Sequence, residues 1–226
     1  MDAGQLTQIL VWPIVSLIIV LFFLIYFRDS VKKILEDLEK ARGKISPSGL
    51  EFDFERRKIE AAAALGAASV SKEGEATAER KALDEERPRE IANVINQVKP
   101  KILRRLADAS ILWVDDNPSN NLNEQRSLGA FGIHFTISTS TADALEKIRV
   151  NKYDVIISDM GRPDDKQAGY KLLEEKQKLG DTAPFIIYAG SNLPEHKAEA
   201  RRRGAFGSTN NPQELFQLVL SAIQGE

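Results

Sequence analysis

The chain has 226 residues, with 31 Lys and Arg against 33 Asp and Glu and a net charge of −2, so it has no general electrostatic pull toward nucleic acid and no such partner is expected. It contains no Cys, which excludes disulfides, thiol nucleophiles, iron–sulfur clusters and Cys-based zinc sites, and only His134 and His196 could supply imidazole chemistry. At about 150 residues per domain there is room for one ordinary domain plus attachments.

The first predicted element is a transmembrane helix. Ile9 to Phe27 reads ILVWPIVSLIIVLFFLIYF, 19 residues without a charge. At 1.5 Å per residue such a helix spans roughly the 30 Å hydrocarbon core of a bilayer. The preceding MDAGQLTQ lacks the positive region of a cleavable signal peptide, so the span is expected to stay as an anchor. Arg28, Lys32, Lys33, Lys40, Arg42 and Lys44 follow it, and the positive-inside bias places the rest of the chain in the cytoplasm.

After the anchor, Val31, Ile34 or Leu35, and Leu38 recur at helical spacing, a juxtamembrane helix that also leaves a homodimer through a short coiled coil open. SPSG then breaks the helix, and Leu50 to Glu55 alternates apolar and acidic residues as LEFDFE, which predicts a short strand. Residues 56 to 87 are rich in Ala, Glu, Lys and Arg with few large apolar groups, a composition expected to give a partly helical or disordered linker rather than core. From Pro88 to Asp108, Ile91, Val94, Ile95, Val98, Ile102, Leu103 and Leu106 recur helically, with Pro100 expected to kink or divide the run.

From Ile111 strand-like runs alternate with helical patterns: ILWV, a helix over 120–131, HFTIS, 141–149, DVIIS, 168–179, FIIY, 194–203 and 213–223. This alternation predicts an α/β fold with a doubly wound, five-stranded parallel sheet of flavodoxin-like order. In the order 2-1-3-4-5, strands one and three are neighbours at the switch point, where ligands bind. Asp115 and Asp116 follow the first strand and Asp159 ends the third, so three carboxylates are expected in one crevice. Such a cluster repels itself unless a hard cation such as Mg²⁺ neutralises it.

WVDDNP at 113–118, SDMGRP at 158–163 and PFIIYAG at 184–190 together resemble the receiver domain of bacterial response regulators, over residues 109 to 224. The resemblance implies that Asp159 is a phosphoacceptor, that Asp115, Asp116 and Asp159 hold Mg²⁺, and that the backbone carbonyl of Met160 is a further ligand. It also implies a histidine kinase or an effector protein as partner and a bacterial setting, in which the Ile9 to Phe27 span is expected to lie in the inner membrane. Three family positions are altered. Ala189 stands where a Thr or Ser normally contacts the phosphoryl group, Asn211 where a Lys pairs with it, and Ser208 where a switching aromatic sits.

The expected organisation is an anchor over 1–28, a juxtamembrane helix and short strand over 29–55, a linker and helix over 56–108, and a receiver-like domain over 109–226. The expected role is a membrane-tethered signalling module, phosphorylated at Asp159 or docking without phosphorylation, with the last helix, Gln213 to Ile223, as a natural contact surface. An alternative is a membrane effector whose cytoplasmic domain senses a small phosphorylated ligand. No enzymatic activity is expected, because the later strand ends lack the Lys and hydroxyl of an aspartyl-nucleophile phosphohydrolase and GAFG at 204–207 lacks the Walker spacing.

Overall fold

The computed structural model describes residues 50–72 and 78–225. The expected membrane span and juxtamembrane helix lie outside the described residues, and among the described residues no helix is long and apolar enough to cross a membrane. Five strands, β1 (Ser110–Val114), β2 (His134–Ser138), β3 (Val155–Ser158), β4 (Phe185–Tyr188) and β5 (Gly207–Thr209), form one sheet in the order β2-β1-β3-β4-β5. All four pairings are parallel, and Trp113 of β1 lies in register with Ile137 on one side and Ile157 on the other.

The three inner strands are continuous apolar runs because a parallel sheet is buried on both faces. Successive side chains point to opposite faces. Ile111, Trp113, Ile157 and Ile186 therefore enter one core, and Leu112, Val114, Ile156 and Ile187 enter the other. The second core is closed by α5 (Thr141–Val150), α6 (Ala168–Lys178) and α7 (Pro194–Arg202), through Ile148, Leu172, Leu173 and Ala200. The first is closed by α4 (Leu122–Gly129) and α8 (Pro212–Gln224), through Leu128, Phe216 and Val219.

This first core continues into helices upstream of the sheet. α1 (Leu50–Lys72) and α2 (Ala78–Asn96) precede a 3₁₀ turn over Pro100–Ile102 and the short α3 (Leu103–Asp108), so Pro100 divides the run as expected. Two expectations are corrected here. Leu50 to Glu55 is helix and not strand. Six alternating residues are too few to impose a pleat, and the Ala, Glu, Lys and Arg that follow are strong helix formers through which a helix propagates.

Residues 56 to 72 are likewise not a linker. Ala61, Leu65 and Ala68 are buried in one stripe on α1. The small Ala side chains admit close helix approach, so this core is built without large apolar groups. A buried hydrogen bond fixes the contact, with Ser127 Oγ of α4 donating to the Ala61 carbonyl at 2.9 Å. Ser127→Ala is expected to cost about 1 kcal/mol and to speed amide exchange in α1 before it does so in the sheet.

α8 is likewise covered. Leu215, Phe216, Val219, Leu220, Ala222 and Ile223 are buried, no residue from Pro212 to Gln224 is exposed, and the helix lies against α2 and α4. The last helix is therefore not the open contact surface that the sequence suggested. α7, by contrast, is exposed along most of its length, at Pro194, Glu195, His196, Ala198, Arg201 and Arg202.

Candidate functional site

At the carboxyl ends of the strands lies a crevice of about 450 Å³, floored by Asp115, Asp116 and Asp159. Asp115 and Asp116 leave β1, and Asp159 leaves the neighbouring β3, so the sheet order alone brings them together. Each offers a carboxylate oxygen, and these atoms all lie within 4.8 Å of one another. An all-oxygen set of this kind suits a small hard cation.

The three acids are held differently. Asp115 accepts hydrogen bonds from the Asn117 backbone N–H at 2.7 Å and from Asn121 Nδ2 at 2.6 Å, which aim it into the crevice. Asp116 is exposed, whereas the Asp159 side chain is only 13% exposed. Burial pushes the Asp159 carboxyl up from its ordinary value to about 7; the Arg162 charge opposes this rise, while Asp115 and Asp116 add to it. Its Oδ1 is buried and accepts no hydrogen bond. Apart from the Arg162 charge beside it, that oxygen stands inside a cluster of acids, an arrangement that a cation relieves.

Met160 also lines the crevice. Its carbonyl accepts from the Gly169 N–H at 2.9 Å, which occupies one of its two acceptor directions. Gly169 is required at that point, because a Cβ there would stand 2.5 Å from the Asp159 carbonyl oxygen.

The three altered positions separate in space. Ala189 forms part of the crevice wall and brings no hydroxyl to it. Ser191, two residues on, turns away and pairs with His196 Nδ1 at 2.7 Å. Ser208 is buried within β5 beside Ile187. Asn211 caps α8, its side chain accepting from the Glu214 N–H at 2.9 Å. The neighbouring Asn210 lines the crevice instead, its Nδ2 donating to the Gly190 carbonyl at 3.2 Å. With Asn117, Asn120 and Asn121 it gives the site a neutral amide wall.

Sequence reasoning missed that amide wall, and it missed Arg162. The pattern SDMGRP held the signal, a cation three residues after the acid, but nothing in linear order says that it turns inward. Its Nη2 lies 2.9 Å from Asp159 Oδ1. Other charged groups behave as surface structure: Arg202 and Arg203 pair with Glu199, and Arg203 also stacks over Tyr170 at 4.4 Å.

Comparison with known proteins agrees with this geometry. Residues 111–221 match the family described as the response regulator receiver domain. The sensor histidine kinase RcsC of Escherichia coli is 31% identical over 108 residues, a match covering 48% of this chain and 11% of that protein. The sensor protein EvgS of Escherichia coli strain K12 is 30% identical over 76 residues, covering 34% of this chain and 6% of that protein. The chain thus spans about a tenth or less of the length of these relatives. Among solved structures, the receiver domain of the Francisella response regulator 1452 is 25% identical, with a TM-score of 0.47, covering 52% of this chain and 98% of that one. Residues 111–221 of this chain are a response regulator receiver domain, of the kind that serves two-component signalling.

Proposed function

We propose that this receiver accepts a phosphoryl group on Asp159, in a chain held to the bacterial inner membrane by Ile9 to Phe27, and passes the signal on by docking a protein. The observation that carries this reading is the convergence of Asp115, Asp116 and Asp159 within 4.8 Å at the ends of two adjacent strands. Asp115, Asp116 and Asp159, with the Met160 carbonyl, would hold Mg²⁺, which would supply the positive charge that offsets repulsion between two anions.

The rest of the chemistry belongs to the chain. A carboxylate oxygen of Asp159 attacks the phosphorus of a phosphohistidine or acyl phosphate donor. The new O–P bond forms as the donor's own bond to phosphorus breaks, and its electron pair leaves with the donor. Asp115 is kept in place for this step by Asn117 and Asn121. Because Ala189 brings no hydroxyl and Asn210 no charge, the acyl phosphate is held by fewer contacts than a charge-assisted pair would give, about 1.5 to 3 kcal/mol less.

With α8 covered, α7 and the loop leading into it form the docking face, where Leu193 is 55% exposed. A second reading, docking independent of phosphorylation, is favoured by the same missing hydroxyl and cation. The test is to incubate the full chain in detergent with Mg²⁺ and acetyl phosphate and to weigh it intact beside Asp159→Asn. One phosphoryl increment on the wild type alone is expected. An unmodified wild type removes phosphoacceptance and leaves the docking reading.

A further inference from the structure

Arg162 is nowhere among the residues that line the crevice, yet it reaches Asp159. Its guanidinium therefore meets the carboxylate from outside the open space. The side chain is only 8% exposed, and its Nη2 stands 2.9 Å from Asp159 Oδ1. That contact is one of charge, since Oδ1 accepts no hydrogen bond and Arg162 Nε, also buried, donates none.

The guanidinium is locked where it is. Nη1 donates to Thr141 Oγ1 at 2.8 Å, and Nη2 donates to Ser158 Oγ at 3.0 Å. Behind it, the Arg162 N–H donates to the Asp165 carbonyl at 2.9 Å and the Asp165 N–H donates back to the Arg162 carbonyl at 3.0 Å, closing a small hairpin. Asp165 is tied in turn to Lys171 at 2.7 Å and to the Gln167 N–H at 2.9 Å. A guanidinium stays protonated at any relevant pH, so the charge so placed is permanent.

We propose that Arg162 is a built-in counter-ion and positioning residue for Asp159, holding that carboxylate in the acidic cluster and competing with a divalent cation for its charge. The proposal rests on the reading of the three carboxylates as a cation site. Its consequence is that the acids stay assembled without metal, and that the cation which completes the site binds less tightly than three uncompensated acids would bind it. A fixed positive charge a few ångströms away works against an incoming Mg²⁺, and at the effective dielectric of a protein surface such a charge changes affinity by about tenfold or more.

The experiment is a calorimetric titration of the full chain in detergent with magnesium chloride alone, comparing wild type, Arg162→Gln and Arg162→Lys. Gln retains polar contact with Thr141 and Ser158 without the charge, and is expected to bind Mg²⁺ about tenfold tighter or more. Lys restores the charge and is expected to return affinity to within a few-fold of wild type, which a purely structural role would not require. Equal or weaker affinity in Arg162→Gln, or Gln and Lys variants that behave alike, overturns the counter-ion while leaving the cation site standing. Absence of Mg²⁺ binding in all three chains overturns the cation site and this proposal with it. If Arg162→Gln does not fold, Thr141→Val removes one anchor and keeps the charge. A two- to fivefold rise in Mg²⁺ affinity is then expected on the scale of one lost hydrogen bond, and no change overturns the proposal.

Discussion

Replacing Asp115 and Asp116 together by Asn is expected to lower phosphoryl uptake at Asp159 at least a hundredfold, while making the metal-free chain more stable to heat. Both effects come from the same charges. The acids lie within 4.8 Å of one another and of Asp159, so they are two of the three anionic ligands available to a cation in the crevice. Losing the metal's share of charge neutralisation raises the barrier by several kcal/mol, and each 1.36 kcal/mol is about tenfold in rate. In the metal-free chain, however, Asp115 and Asp116 repel Asp159, and burial together with their charges pushes its carboxyl up to about 7 against the opposing charge of Arg162. The measurement is intact mass against time with acetyl phosphate, beside thermal unfolding with and without Mg²⁺. Mg²⁺ is expected to raise the unfolding temperature of the wild type and to leave that of the double variant where it was. A double variant that is phosphorylated at the wild-type rate would remove the acids from the chemistry.

The second large effect is in the core. Trp113→Ala is expected to destabilise the domain by about 3 to 5 kcal/mol, the usual cost of emptying a fully buried aromatic site. The indole is fully buried in the middle of the sheet, edge-on to Tyr188 at 6.1 Å and tilted against Phe135 at 6.0 Å. Its Nε1 is buried without a hydrogen-bond partner. Trp113→Phe therefore removes an unsatisfied donor, worth about 1 to 3 kcal/mol, along with part of the ring volume. The Phe variant is expected to fall within about 1 kcal/mol of wild type. Urea unfolding of the three chains separates these figures. A Phe variant as unstable as the Ala variant would show that the volume, and not the orphaned donor, sets the balance.

The strands and the acids were legible for local reasons. HFTIS alternates polar and apolar residues and FIIY is a short apolar run, and they form β2 and β4 over the same residues. Asp115, Asp116 and Asp159 sit at strand ends, so strand order was enough to bring them together. What escaped depends on tertiary contact. The Ala-rich stretch of α1 offers little apolar bulk in sequence, and its burial follows from close approach to α4 at Ala61. α8 carries an apolar stripe whose outer part could face a partner or its own chain; α2 takes that place. Arg162 reads as a loop cation until the reciprocal bonds with Asp165 turn it toward Asp159. The register that placed Asn211 at a family position could not show that its side chain serves the helix and that Asn210 faces the crevice.

In the proposed function, the three carboxylates act as one cation-dependent phosphoacceptor. That role is tested most directly by phosphoryl incorporation from acetyl phosphate into the full chain across a range of Mg²⁺ concentrations, with the modified residue located by fragmentation. A single phosphoryl group per chain is expected, on Asp159, rising with Mg²⁺ and absent without it. Incorporation at another residue, incorporation indifferent to Mg²⁺, or none at saturating Mg²⁺ would contradict that role.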